Sequence, residues 1–231
     1  MNSQKKGLLI VIDGTDGSGK ATQIDLLKKA LKEKGINFET IDFPRYEDNI
    51  YGKLIGRYLS GEFGDLGQVN PYLMSLVFAG DRKMATPLIR EWLDDGKIVI
   101  ANRYVSSNKA HMGANLSENE RPSFFRWIDE LEYKANDLPK EDLTILLYVD
   151  AKLGQKNVDG KHTRKHLGSV TRDIHEASLK HLDEANKVYL ALAKVNLSWK
   201  VVECMSNGYM KSKEEIHKEV MKIFDKKLSG K

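Results

Sequence analysis

Between Leu8 and Thr22 the chain reads LLIVIDGTDGSGKAT, an apolar run that breaks into glycines and arrives at a lysine. No other stretch restricts the fold as much. The apolar residues Leu8 to Ile12, bounded by turn formers, predict a short strand buried on both faces, as in the middle of a parallel sheet. Gly14, Gly19 and Lys20 fit the pattern G-x-x-x-x-G-K-[ST] up to its last place, and an amphipathic helix is predicted to follow from about Lys20 to Lys34. Glycines let such a loop wrap closely around an anion with successive N–H groups turned inward, and the helix N-terminus adds a favourable dipole. The segment Gly14, Thr15, Asp16, Gly17, Ser18, Gly19, Lys20, Ala21 and Thr22 is therefore assigned to a polyphosphate. Lys20 supplies a charge that can follow a phosphoryl group as it moves. The last place breaks the pattern: Ala21 stands where a hydroxyl ligand for magnesium is expected, and Thr22 comes one residue later.

A chain of 231 residues, 41% hydrophobic and 30% charged, has enough apolar material for a core and is read as one domain, 1–231, with a mobile insert. Its net charge of +4 suits anionic small molecules. A nucleic-acid binder more often concentrates its basic residues on one face, so no nucleic-acid partner is expected. The single cysteine, Cys204, excludes an intramolecular disulfide and a cysteine-based zinc site, and its neighbours Val201 and Val202 predict a buried thiol. The start, MNSQKKG, is too short and polar for a signal peptide, and no apolar run approaches the length of a membrane span. A cytoplasmic location without a membrane partner is the expectation.

Gly35 is a helix stop, and Phe38 to Asp42 predicts a second strand leading into Phe43-Pro44-Arg45-Tyr46. Ligands of open α/β sheets gather beyond the carboxyl ends of the strands, where this aromatic and cationic group falls; an ordinary rim of loop contacts is the alternative. Ile50 to Leu59 predicts a short helix. Asn70 caps a longer one with Pro71 at its first position, kinked or interrupted at Pro87, with Asp81 and Arg82 as polar exceptions near Phe78. Ile98 to Ala101 is another doubly buried strand, followed by Asn102-Arg103-Tyr104 and a segment holding Ser107, Asn108 and His111. Arg103, just past that strand on the edge of the phosphate loop, can grip phosphate oxygens in a fork.

Arg121 to Asn136 is predicted helical, with Trp127, Ile128 and Leu131 as a packing stripe. Leu143 to Val149 gives the fourth core strand. Lys152 to Arg172 is polar, lacks apolar periodicity and carries Lys152, Lys156, Lys161, His162, Arg164, Lys165, His166 and Arg172. A solvated loop is the default for such a run, but a long structureless stretch in a compact domain is often a lid. Asp173 to Lys194 predicts a helix whose first-turn Asp173 and Glu176 complement its dipole. Trp199 to Val202 gives a fifth strand, and Lys213 to Leu228 a closing helix capped by Ser212.

In combination, the loop Gly14 to Thr22, Phe43-Pro44-Arg45-Tyr46, Phe78-Ala79-Gly80-Asp81-Arg82, Arg103-Tyr104 to Asn108, and Thr171-Arg172-Asp173 to Glu176 after a basic stretch resemble the thymidylate kinases. The resemblance spans almost the whole chain from Gly7. It implies an α/β fold of the P-loop nucleoside-monophosphate-kinase kind: a three-layer sandwich, a five-stranded parallel sheet flanked by helices, and a mobile lid at about 152–172. The implied reaction converts dTMP to dTDP with ATP and Mg²⁺. On this resemblance Phe78 stacks on thymine, Arg82 bonds its edge, and Arg45 and Arg103 hold the monophosphate. Phe43, Tyr46, Ser107, Asn108 and His111 line the pocket around base and sugar, and Asp173 belongs to the substrate side. His111 stands where the family usually has an aromatic ring that crowds out a ribose 2′-hydroxyl. Asp16 meets the sugar 3′-hydroxyl or a metal-bound water. A homodimer built through helices is also implied.

Three departures bear on the chemistry. Ala21 lacks the hydroxyl; Asn102 replaces an aspartate that could ligand magnesium or accept a proton; and Gly17 follows Asp16 where one branch of the family has a catalytic arginine. Asp16 is left as the expected metal carboxylate. The missing cation is expected from the lid, with Arg164 the first choice, beside Lys20 and Arg103 as catalytic cations. A related kinase for another nucleotide or a deoxynucleoside, and a nucleotide-binding module without catalysis, stay open as alternatives.

Overall fold

The structure, a computed structural model, describes residues 6–159 and 173–230. Five strands, β1 (Leu8–Asp13), β2 (Phe38–Asp42), β3 (Ile98–Asn102), β4 (Leu143–Tyr148) and β5 (Trp199–Glu203), form one sheet in the order β2-β3-β1-β4-β5. Every pairing is parallel. All carboxyl ends therefore share one edge, with the end of β1 in the centre.

Strand alternation builds a core on each face. Leu9 and Val11 pack with Ile55 of α2 (Ile50–Leu59), Ile89 of α3 (Pro71–Asp94) and Phe124 of α5 (Arg121–Asp129). Ile10 and Ile12 turn the other way, onto Leu27 and Leu31 of α1 (Lys20–Glu33) and Phe224 of α9 (Lys213–Leu228). The doubly buried reading of β1 and the three-layer sandwich are borne out. Cys204 is buried, and burial pushes its thiol up to about 12.

Helix α3 is not interrupted at Pro87, one of the two outcomes expected there, because Ala85, Ile89 and Leu93 on either side of the proline are locked into the core and packing outweighs the local penalty. Local expectations fail in three places. The helix predicted over 121–136 is α-helical only to Asp129; a π-helical turn follows over Glu130–Ala135. The first part of the predicted lid is α6 (Ala151–Asp159), which buries Ala151, Gly154 and Val158; two of these are too small to register as an apolar period. The remainder of that segment, 160–172 with Arg164, lies outside the described residues. The helix predicted from Asp173 splits at Ser178, which ends α7 (Ile174–Ala177) and caps α8 (Leu179–Val195) through its hydroxyl. Between the remaining elements lie α4 (Val105–Gly113) and a hairpin of β6 (Met205–Ser206) and β7 (Tyr209–Met210). It turns on Asn207-Gly208, both at positive φ, a dipeptide suited to such a turn.

Candidate active site

The loop after β1 has the shape its glycines require. Gly14, Gly17 and Gly19 all have positive φ, and a Cβ on Gly17 would lie 1.9 Å from the carbonyl oxygen of Gly154 in α6. Asp13 anchors the start of the turn: its carboxylate accepts from Gly14 N at 2.9 Å and from the Tyr189 hydroxyl at 2.6 Å. Thr15 donates to Asn186, which in turn donates to the Val149 carbonyl. Lys20 Nζ donates to the carbonyls of Gly14 and Thr15, each at 2.9 Å, so its charge sits within the curve of the loop. Ser18 Oγ is buried without a hydrogen-bond partner among the described residues. Ala21 lines the adjoining cavity, whereas Thr22 is exposed.

That cavity, about 350 Å³, opens beyond the ends of β1, β2 and β3 and joins the phosphate loop to the predicted acceptor residues. Asp16, Gly17, Gly19 and Lys20 line one end; Phe43, Tyr46, Phe78, Arg82, Arg103, Ser107, Asn108, His111 and Asp173 line the rest. Thus residues from five separate stretches of sequence are brought together. Arg45 is not among the lining residues: its Nε donates to Asp48 at 2.9 Å and its backbone N–H to Asp81.

At the inner end, Arg82 is fully buried and forks onto Glu132, with Nε donating to both carboxylate oxygens at 3.1 Å. Burial alone would lower the Arg82 pKa, but the charge and hydrogen bonds of Glu132 overcome it and the net direction is upward. Asn108 Nδ2 donates to Glu132 and to the Ser75 carbonyl, which fixes its amide; Asn108 Oδ1 is buried without a partner among the described residues. Arg82 and Asn108 therefore share one carboxylate, and both residues line the cavity. Glu132 was missed by the sequence reading, yet it lies at i+4 from Ile128 and i+8 from Phe124, both wholly buried, on a helical face that turns inward.

At the outer end stands Arg103, whose φ of 64° is rare for a residue with a side chain. Its Nη2 donates to Asp16 at 2.6 Å; Nη1 donates to Ser107 Oγ at 3.0 Å and meets His111 Nε2 at 3.1 Å. Burial works to lower its pKa, but Asp16 reverses the direction and Arg103 stays charged. His111 stacks on His175, and both are held neutral, well below the usual histidine range, first by burial and then by neighbouring positive groups.

Asp16, Asp173 and Glu176 each bring a carboxylate oxygen within 4.8 Å of the others. Asp173 and Glu176 also form a reciprocal cap at the start of α7, with Glu176 N donating to Asp173 at 2.8 Å and Asp173 N to Glu176 at 3.2 Å. An all-oxygen, anionic donor set suits a hard divalent cation such as Mg²⁺. Asp173 was expected on the substrate side and Glu176 as a complement to the helix dipole; neither was expected as a metal ligand.

A family model described as thymidylate kinase matches residues 12–220 of the chain. The thymidylate kinase of Mycobacterium tuberculosis is 34% identical over 186 residues, 80% of this chain and 86% of its own. The human thymidylate kinase is 29% identical over 216 residues, 94% and 89% of the two chains. Among solved structures, that of the thymidylate kinase from Candida albicans superposes with a TM-score of 0.72 at 23% identity, over 95% of this chain and 92% of that one. With a phosphate loop, a facing arginine and a base-sized cavity already on one sheet edge, these matches settle the kinship: the chain belongs to the thymidylate kinase family.

Proposed function

We infer that the chain transfers the γ-phosphoryl group of ATP to dTMP, yielding ADP and dTDP. The observation that carries the reading is the Arg82–Asn108 pair inside the cavity. Thymine offers a carbonyl oxygen beside an imide N–H, which matches a guanidinium donor beside the unpartnered Asn108 Oδ1. Cytosine offers an amine and a bare ring nitrogen at those positions, leaving donor facing donor at Arg82 and acceptor facing acceptor at Asn108. Phe78, half-buried on the cavity wall, supplies the ring on which the base stacks.

With the base so placed, the monophosphate points toward Arg103 and Lys20, and ATP lies along the loop from Gly14 to Lys20. Transfer then requires alignment of the two anions and stabilisation of charge on the moving group. Lys20 and Arg103 supply that charge from opposite sides, and Arg45 joins them by swinging from Asp48 onto the monophosphate. The acceptor oxygen is already anionic at neutral pH, so Asn102 in place of an aspartate removes no obligatory base. Mg²⁺, held by Asp16, Asp173 and Glu176, would neutralise part of the ATP charge. Arg164 and the neighbouring cations, outside the described residues, are the groups expected to add charge at the moving phosphoryl group.

The same reading extends to assembly and location. Leu73, Leu76, Met84 and Leu88 leave α3 with an exposed apolar stripe, 64%, 43%, 56% and 37% exposed, which a second copy of the chain would cover in a homodimer. Among the described residues no helix is long and apolar enough to cross a membrane, which accords with a cytoplasmic enzyme. ADP release measured across dTMP, dUMP, UMP, CMP and thymidine tests the reading. Turnover with dTMP and none with CMP or thymidine is expected; preference for thymidine, or ADP release independent of any acceptor, would overturn it.

A further inference from the structure

The third member of the histidine group, His181 of α8, does not line the cavity, yet it is hydrogen-bonded to a residue that does. His111 Nδ1 lies 3.3 Å from His181 Nε2, and His181 Nδ1 lies 3.2 Å from Asn115 Oδ1. Asn115 is oriented by its own amide, whose Nδ2 approaches the His111 carbonyl at 3.4 Å. The His175 ring stacks on that of His111, nearly parallel at 5.1 Å between centroids, and lies 4.6 Å from that of His181 at 29°, while His111 and His181 meet edge to edge with centroids 5.5 Å apart.

The direction of every bond in this chain follows from chemistry. A guanidinium only donates, so His111 Nε2, 3.1 Å from Arg103 Nη1, must accept. Its proton is then on Nδ1 and is donated to His181. His181 Nε2 therefore accepts, its own proton is on Nδ1, and that proton goes to the Asn115 carbonyl oxygen. The opposite pair of tautomers would set an N–H of His111 against an N–H of Arg103. Nothing else in the row is free to reverse it.

We propose that Asn115 and His181 are positioning residues which, by dictating the tautomer of His111, hold the Arg103 guanidinium in the orientation that receives the acceptor monophosphate. The advantage over an acidic partner is electrostatic. Ser107 and His111 orient the arginine as neutral acceptors and leave its charge for the phosphate, whereas Asp16 neutralises part of it. Burial keeps His111 in the neutral form that this arrangement needs. His175, in the stack between α4 and α8, holds the rings in register. The proposal rests on Arg103 meeting the monophosphate of dTMP, as inferred above.

The test is nitrogen-15 NMR on the full chain with labelled histidine and no nucleotide, combined with kinetics of two substitutions. His111 and His181 are both expected as Nδ1–H forms, the less common neutral tautomer in water, with signals assigned by single histidine substitutions. In His181→Phe, which keeps a stacked ring but removes the acceptor, the His111 proton should move toward Nε2. The KM for dTMP should rise roughly five- to tenfold, the scale of one typical net hydrogen bond, with the KM for ATP within about twofold. His181→Gln restores an acceptor and should recover most of the difference. An Nε2–H form of His111 in the unaltered protein, an unchanged KM for dTMP in His181→Phe, or equal impairment in His181→Gln would overturn the proposal. Should His181→Phe fail to fold, Asn115→Leu removes the last acceptor in the row and should shift the His111 tautomer in the same direction; no shift there would also overturn it. Because the spectrum is recorded without substrate, a failure of the tautomer assignment is distinct from a failure of dTMP as the acceptor.

Discussion

Arg82 and Glu132 form an ion pair closed off from solvent, 2% and 0% exposed, and Glu132 also holds the amide of Asn108. One buried carboxylate therefore sets both groups that face the base. Removing one partner of such a pair strands the other charge in the core, at about 3–5 kcal/mol. Glu132→Gln is expected to lose stability of that order in urea denaturation and to raise the KM for dTMP far more than that for ATP. A loss below about 1 kcal/mol with unchanged KM would show that the pair does not organise the pocket.

Lys20 is expected to be indispensable to transfer and dispensable to the fold. Its Nζ is bonded to loop carbonyls rather than to the core. Lys20→Ala should lower kcat roughly 10²–10³-fold, the scale for losing a preorganised charge at a transition state, while the circular dichroism spectrum and Tm stay close to those of the parent. Retained turnover would remove the lysine from the mechanism.

Acid should weaken the fold through the histidine stack. Burial pushes His181 down from 6.5 to about 4, and His111 and His175 move in the same direction. Between those pH values the unfolded chain binds protons that the folded chain refuses, so stability rises with pH across the window and is lost as pH falls from about 6.5 toward 4. From pH 7.5 to 5, His181 alone accounts for about 2 kcal/mol. Denaturation at the two pH values should show His181→Phe losing less stability than the parent by about that amount; equal losses would contradict the assignment.

Arg164 is expected to act on the moving phosphoryl group and not on dTMP at rest. Arg164→Ala should lower kcat more than it raises the KM for dTMP. Unchanged turnover would direct attention to Lys161 or Lys165.

What the sequence made legible was local. The strand at Leu8, the glycine turn and the cap at Asn70 depend on neighbours a few residues apart, and all three stand in the structure. The acceptor side was legible mainly through resemblance; the residues named from it line one cavity, except Arg45, which turns to Asp48. The unread parts are long-range or hidden by residue type. Glu132 lies 50 positions from Arg82, and a charged residue in a helical pattern reads as solvated. His111, His175 and His181 arrive from three helices, and no spacing joins them. Gly154 carries no apolar signal, yet it lets α6 close against the phosphate loop.

On the function inferred above, two phosphate-bearing substrates meet between Lys20 and Arg103, and Arg82 and Asn108 read the acceptor base. A crystal structure with ADP, Mg²⁺ and dTMP tests it most directly. The thymine is expected on Phe78 with its imide N–H on Asn108 Oδ1, and the monophosphate on Arg103 facing the glycine loop. A thymine turned out of that cavity, or a monophosphate remote from Arg103, would contradict it.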